Sequence, residues 1–251
     1  MLDLKGKTAL VTGGSRGIGA AIVREFSKIG TNIAFTYHSD KKSALAVAAA
    51  ASREAECLII KGGVTTQREV KKVIESTMNH FGRIDILVNN AGIWKRGEIG
   101  AMKEGQWDET LDVNLKGTFL FCNLVAPIMK KQRAGKIINI ASTAGQRGEA
   151  FYSHYAASKG GVIAFTKSIS AELAPFNINA NCVSPGWVDT DMTASIVRDK
   201  KKIKQINSLI PRGKIGKPQD IAHAVLFLAS NRSDHIVGAV INVNGGSILF
   251  G

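Results

Sequence analysis

Tyr155 and Lys159 stand four residues apart in His154-Tyr-Ala-Ala-Ser-Lys159, and Ser142 lies thirteen residues before Tyr155 at the end of an apolar run. Positions i and i+4 of a helix lie on one face, a turn apart. A free phenol titrates near ~10, so at neutral pH it is a poor partner in proton transfer. Two unit charges ~5 Å apart at an effective dielectric of ~20 interact by roughly 3 kcal/mol. A lysine ammonium one turn away is therefore expected to draw the Tyr155 phenol well below its ordinary value and make it useful for moving a proton. Such a pair also arises by chance in many helices, so the elements around it must decide its meaning.

Those elements alternate from end to end. Apolar, β-branched runs at Thr8–Val11, Asn32–Tyr37, Cys57–Ile60, Ile84–Val88, Lys136–Ile140, Asn179–Val183 and Ala239–Val243 predict buried strands. Helical patterns fall between them, near 17–29, 41–54, 66–81, 104–132, 154–174, 194–207 and 218–230. Continuous apolarity marks strands covered on both faces, hence a parallel sheet. Strand–helix alternation predicts an α/β, doubly wound Rossmann-type fold. No composition shift, linker or repeat divides the chain, so residues 1–251 read as a single domain.

The first strand runs into Thr12-Gly-Gly-Ser-Arg-Gly-Ile-Gly19 and then an amphipathic helix. Gly13, Gly17 and Gly19 follow Gly-x-x-x-Gly-x-Gly spacing. In a dinucleotide loop one glycine makes the turn, another admits the pyrophosphate to the backbone, and a third lets helix and strand pack closely. The helix N-terminus then faces the phosphates. Between the first strand and first helix of an α/β chain, this loop predicts nucleotide binding.

Bulk properties narrow the class. At 45% hydrophobic residues the 251-residue chain can bury a large core, which argues against disorder. No apolar run approaches the ~20 residues of a membrane span, and no signal-peptide pattern precedes the first strand. The odd, scattered Cys57, Cys122 and Cys182 form no metal or disulfide pattern, as expected of free thiols in a reducing cytoplasm. The five histidines are equally scattered, and no metal site is expected. The net charge of +13 predicts attraction to polyanions, or simply a lysine-rich surface. No nucleic-acid recognition motif accompanies it.

Taken together, these residues resemble the short-chain dehydrogenase/reductase family over essentially the whole chain. The resemblance rests on the glycine loop, Asn89-Asn-Ala-Gly92, Asn114 in Asp-Val-Asn-Leu, Ser142, Tyr155-Ala-Ala-Ser-Lys159 and Pro185-Gly-Trp-Val-Asp-Thr-Asp191. It implies a seven-stranded parallel sheet with helices on both faces. It implies Tyr155 as the proton donor in carbonyl reduction, with Lys159 lowering its pKa and binding the nicotinamide ribose. Ser142 would hold the substrate oxygen, and Asn114 would kink its helix and hold a water that links Lys159 to solvent. Gly13, Ser15, Arg16, Gly17, Ile18, Gly19, Tyr37, His38, Val64, Asn90, Ala91, Gly92, Pro185, Gly186, Val188 and Thr190 would join Tyr155 and Lys159 in lining the cofactor. Ser158 and His154 are expected to pack rather than react.

NAD-specific members of the family carry an acid at the end of the second strand. Here Tyr37 and His38 stand there, Asp40 lies too far along, and Arg16 suits a 2′-phosphate, so NADPH is favoured over NADH. Gly63-Val64 replaces the family's Asp-Val, which implies loss of an adenine contact. Within the family the chain is most similar to the 3-oxoacyl-[acyl-carrier-protein] reductases, through Ile210-Pro-Arg-Gly-Lys-Ile-Gly-Lys-Pro-Gln-Asp-Ile221, Pro185–Met192 and Val243-Asn-Gly-Gly246. A sugar, polyol or small-ketone dehydrogenase is the alternative, and a non-catalytic nucleotide-binding regulator is the distant one. Trp94, Gln146 and Trp187 would line the cleft. A substrate lid is expected near 190–214, and its run Arg198-Asp-Lys-Lys-Lys-Ile-Lys204 suits an anionic carrier such as acyl carrier protein. Arg133 could assist, whereas Phe176 stands where relatives often have a base. The resemblance also implies a homotetramer, with the long helices near 104–132 and 154–174 pairing across one interface and the C-terminal strand region forming another.

Overall fold

A computed structural model of the chain describes residues 2–249. β1 (Thr8–Val11), β2 (Asn32–Tyr37), β3 (Cys57–Lys61), β4 (Ile86–Asn89), β5 (Gly135–Ile140), β6 (Ile178–Pro185) and β7 (Val240–Val243) form one sheet in the order β3-β2-β1-β4-β5-β6-β7. All six neighbouring pairs are parallel. The helices are α1 (Gly17–Lys28), α2 (Lys41–Ala51), α3 (Gln67–Phe81), α4 (Glu104–Leu111), α5 (Gly117–Gln132), α6 (Thr143–Arg147), α7 (Ser153–Leu173), α8 (Ala194–Val197), α9 (Lys200–Ser208) and α10 (Pro218–Ala229). This is the doubly wound α/β fold that the alternating pattern predicted.

Each strand feeds two cores because successive side chains point to opposite faces. Ala9 and Val11 pack with Ile22 and Phe26 of α1 and Val225 of α10. Leu10, Leu87 and Ile137 pack on the other face with Val73 of α3 and Phe121 and Val125 of α5. Strands buried on both faces need apolar residues at every position, which is why they read as continuous runs. β1 pairs with β2 through Val11 and Phe35, and with β4 through Val11 and Val88. The winding reverses between β1 and β4. At such a reversal a crevice opens beyond the carboxyl ends of the strands, and the loops after β1, β4, β5 and β6 meet there.

Three departures from the predicted elements bear on that crevice. The stretch 104–132 is not one helix: α4 and α5 are joined by a π-helical turn, Asp112–Lys116, with Asn114 fully buried in it. The stretch 194–207 is split as well. Asp199 accepts the N–H groups of Lys201 and Lys202 at 3.0 and 3.1 Å and so caps a new helix, α9. The five-residue α6 was not predicted, being too short to show a period.

Candidate active site

The glycine loop is held from two sides. Gly13 and Gly17 have φ of 67° and 53°. The Gly13 N–H donates to Thr36 Oγ1 at 3.0 Å, and the Gly14 N–H donates to the Thr36 carbonyl at 2.9 Å. From the β4 side, Asn90 Nδ2 donates to the Thr12 and Gly13 carbonyls, both at 3.0 Å. Thr12 Oγ1 accepts the N–H groups of Asn90 and Ala91 at 2.9 and 3.0 Å. A Cβ on Gly19 would collide with the Gly13 carbonyl oxygen and stand 2.6 Å from Asn90 Nδ2, so only glycine permits this approach. Arg16, at the N-cap of α1, makes no side-chain capping bond, and the first turn carries no acid. Its N–H groups therefore remain available to an anion.

The segment after β6 closes over this loop. The Thr190 methyl lies 3.4 Å from where a Cβ on Gly17 would be. A cavity of about 440 Å³ lies between them, lined among others by Ser15, Arg16, Gly17, Arg24, Thr190 and Arg198. Pro185 ends β6, Gly186 abuts Asn244, and Val188 is buried and bridged to Gly216. Ile18 packs on the core beneath the loop.

Of the two residues expected at the end of β2, Tyr37 is buried in the core while His38 is exposed. Asp40 is committed elsewhere, accepting the Ser43 N–H at 2.9 Å as the cap of α2. That bond holds its carboxyl below the ordinary range. Val64 is buried against Gly117. At Gly63 a Cβ would meet both carboxylate oxygens of Glu69 at 2.8 Å, so a carboxylate stands beside the place where the family's aspartate is missing.

Ser142 follows β5 and caps α6, its Oγ accepting the Ala144 N–H at 3.1 Å. It also shares a hydrogen bond with the Tyr155 phenol. The two helices carrying these residues nearly touch: a Cβ on Gly145 would stand 2.5 Å from the Lys159 carbonyl carbon. Lys159 is 5% exposed. Its Nζ donates to the Ile140 carbonyl at 2.7 Å and lies 6.0 Å from the centroid of the Tyr155 ring. Burial pushes the phenol up to about 12, although the bond to Ser142 acts the other way, and burial pushes Lys159 down to about 8. The simple two-charge argument predicted a lowered phenol. Desolvation sets the direction and the Glu149 carboxylate adds to it, while the ammonium hydrogen-bonds to a main-chain carbonyl.

Asn114 explains the π-helical turn. Its Oδ1 accepts the Ile93 N–H at 2.8 Å, and its Nδ2 donates to the Ile93 carbonyl and to Ser158 Oγ, each at 3.0 Å. Ser158 Oγ donates in turn to the Tyr155 carbonyl at 2.7 Å. One side chain thus ties the loop after β4 to the helix that carries the tyrosine. Ser158 and His154 are fully buried, as expected of packing residues.

The crevice rim was only partly foreseen. Trp94 stacks on Tyr152 with centroids 4.4 Å apart and planes 7° from parallel, and Trp187 meets Trp94 edge-on at 5.7 Å. Gln146 accepts from Ser184 Oγ at 2.9 Å. Glu149 takes a hydrogen bond from Trp94 and acts electrostatically on both Tyr152 and Tyr155. Neither Glu149 nor Tyr152 was singled out from sequence. The available signal was an acid in the short loop between Ser142 and Tyr155. Thr12 and Thr36 were missed too, because their work is to hold other residues' backbones.

A nucleotide-type loop, a switch-point crevice and a Ser–Tyr–Lys cluster in one parallel sheet define a dinucleotide-dependent oxidoreductase site. A family model described as Enoyl-(Acyl carrier protein) reductase matches residues 13–247. The chain belongs to the short-chain dehydrogenase/reductase family. It is similar to the 3-oxoacyl-[acyl-carrier-protein] reductase FabG of Staphylococcus epidermidis, 42% identical over 97% of this chain and 99% of that one. The FabG of Thermotoga maritima is 40% identical over 99% and 100% of the two chains. The 3-oxoacyl-[acyl-carrier-protein] reductase of Synechocystis is 37% identical over 100% of both. Among the described residues, no group of three or more His, Cys, Asp or Glu could hold a metal ion, and no helix is long and apolar enough to cross a membrane.

Proposed function

We propose that the protein reduces the 3-oxo group of an acyl thioester on acyl carrier protein, using NADPH. The observation that most supports this is the hydrogen-bonded Ser142–Tyr155 pair beside Lys159, in a chain whose relatives bear that activity's name along its full length. NADPH, when bound, supplies the hydride. Tyr155 donates its phenolic proton to the carbonyl oxygen as that carbon is reduced, and Ser142 Oγ–H holds the same oxygen. A phenol raised to about 12 is fully protonated at neutral pH, which suits a donor in the reductive direction. Lys159 binds the nicotinamide ribose, and Asn114 fixes the helix that carries both residues.

The residues around the crevice fit the cofactor. The uncapped start of α1, with Gly13, Ser15, Gly17, Ile18 and Gly19, takes the pyrophosphate. Asn90, Ala91 and Gly92 form the opposite wall. Pro185, Gly186, Val188 and Thr190 bound the nicotinamide end. Arg16 and the exposed His38 suit a 2′-phosphate; Asp40, the next acid along the chain, caps α2 and interacts electrostatically with Arg16. Tyr37 contributes through its main chain, and Val64 and Glu69 border the adenine.

One consequence concerns pH. The value of kcat/KM for NADPH reports groups of the free enzyme. Lys159 is charged below about 8 and neutral above it. Capture of the anionic cofactor is expected to fall as pH rises through about 8, and Lys159→Arg should abolish that fall because arginine keeps its charge. A profile flat to pH 10 in the parent enzyme would remove Lys159 from this role.

The carrier is the acidic partner that the charge suits. Lys200, Lys201, Lys202 and Lys204 on α9 are all exposed. Lys130 sits over the Phe176 ring with its Nζ 4.6 Å from the centroid, which returns a positive charge to the place where a base was missed. Changing the four α9 lysines to glutamine is expected to raise KM for a carrier-bound 3-oxoacyl substrate by about tenfold at low salt and to spare a small neutral ketone. An equal effect on both would dismiss the docking role. Exposed Phe119 on α5, edge-on to Phe165 of α7, supports assembly into a tetramer through these helices. The free cysteines suit the cytoplasm.

The deciding assay follows NADPH consumption with an acetoacetyl thioester, a crotonyl thioester, and a panel of sugars and ketones. Turnover of the acetoacetyl thioester is expected. Turnover confined to the crotonyl thioester, or to the sugars, would overturn the reading.

A further inference from the structure

Glu149 sits in the short connection between α6 and α7, and three contacts fix that connection. The Gly97 N–H donates to the Phe151 carbonyl at 2.8 Å, and Gly97 and Tyr152 form a parallel bridge. Trp94, from the same loop as Gly97, stacks on Tyr152 and donates a hydrogen bond to the Glu149 carboxylate. Phe151, at the crest of the connection, has a φ of 65° and lies under the Arg96 guanidinium at 4.5 Å. Tyr152 is the N-cap of α7, and the Ala156 N–H bonds its carbonyl at 2.9 Å. Tyr155 therefore lies one turn beyond the aromatic stack. The loops after β4, β5 and β6 supply Trp94, Glu149 and Trp187; Trp94 bonds the Glu149 carboxylate and meets Trp187 edge-on, and Glu149 acts electrostatically on Tyr155.

The one hydrogen bond to the Glu149 carboxylate comes from neutral Trp94, so its negative charge is left uncompensated by that bond. Glu149 is half-buried and closes no ion pair within salt-bridge distance among the described residues. Lys95, nearby in sequence to Trp94, is taken by Glu109 at 2.6 Å, and Arg96 lies over Phe151 and 3.6 Å from Glu98. The charged and titratable groups that bear on the carboxylate are Arg147 on its own connection, Tyr152 and Tyr155 of α7, and Arg96 acting through Tyr152. Lys159 of α7 is bound to the Ile140 carbonyl.

We infer that Glu149, held by Trp94 beside the Ser142–Tyr155 pair, is a specificity-determining residue that admits 3-oxo esters and thioesters and rejects free 3-oxo acids. This rests on the function proposed above. A substrate whose 3-oxo oxygen sits on Ser142 and Tyr155 carries C1 only two bonds from the reacting carbon. In a thioester C1 is neutral. In the free acid, the hydrolysis product of that thioester, C1 is a carboxylate, and it must approach the fixed carboxylate of Glu149 in a partly desolvated crevice. Like charges there repel far more than in water, and such a built-in clash separates two ligands of nearly equal shape.

The test compares kcat/KM for ethyl acetoacetate and for acetoacetate, each with NADPH. Glu149→Gln is expected to raise the acid-to-ester ratio by about tenfold, the scale of one partly screened like charge. A residue that merely supported the loop would change both substrates together and leave the ratio fixed. A second measurement uses the unaltered enzyme. Burial raises the Glu149 carboxyl above its ordinary value, so lowering the pH neutralises it before acetoacetate itself, and the ratio should climb as the pH falls. An unchanged ratio in Glu149→Gln, with the ester still turned over, would overturn this inference and leave the proposed function standing. Failure of the parent enzyme to reduce the ester, with the acetoacetyl thioester still turned over, would overturn this inference alone; failure on both substrates would overturn the proposed function as well.

Discussion

Tyr155→Phe is expected to lower kcat for a 3-oxoacyl thioester by about 10²–10⁴, the usual contribution of one positioned proton donor. The change removes a single oxygen. The ring stays in its slot on α7, and Ser142 keeps its bond from the Ala144 N–H, so the scaffold should survive. NADPH should still bind, since the uncapped start of α1 and the Asn90 wall are untouched. The measurement is single-turnover reduction alongside a fluorescence titration of NADPH. A loss in turnover with retained binding identifies the phenol as the donor. Turnover within a few-fold of the parent would show that the proton comes from elsewhere, with Ser142 the next group to examine.

Asn114→Ala should produce a large loss of stability. It leaves the Ile93 N–H and carbonyl without their partner and takes one bond from Ser158 Oγ. Each buried polar group left unpaired costs about 1–3 kcal/mol, so a total of about 3 kcal/mol is expected. For a chain of this size that corresponds to a fall in Tm of roughly 6–12 °C, readable by thermal or urea unfolding. Turnover should fall as well, because Ser158 holds the carbonyl of Tyr155 itself. Asn114→Asp is a sharper control. It keeps an acceptor for the Ile93 N–H but sets a carboxylate against the Ile93 carbonyl, so it should rescue little. Unchanged stability in both variants would mean that the π-helical turn forms without this side chain.

Much of this could be read from the order of residues. Seven apolar runs with helical patterns between them gave the sheet because burial on both faces removes polar residues from a strand. The glycine loop was legible because Gly19 sits where no Cβ fits, and such positions tolerate one residue type. Ser142, Tyr155 and Lys159 were legible because a short spacing on known elements determines that they meet. The broken helices were not legible in the periodicity, although the resemblance implied a kink at Asn114. α4 and α5 look continuous in periodicity, and the break comes from Asn114 reaching a loop twenty-one residues earlier. Likewise, Asp199 interrupts the stretch 194–207 by accepting from the N–H groups that follow it, a local effect that the lysine run obscured.

The sequence by itself determined the parallel sheet, the glycine loop and the meeting of Ser142, Tyr155 and Lys159, since each depends on neighbours along the chain or on a residue type that sterics alone can choose. Only the tertiary structure decided how that trio is tuned and what surrounds it. A pKa depends on water excluded by residues from all over the chain, so a phenol expected to fall was raised instead. The same holds at the rim. Glu149 became a candidate gate only when the loops after β4 and β5 brought Trp94 onto Tyr152, a contact between segments separated by more than fifty residues.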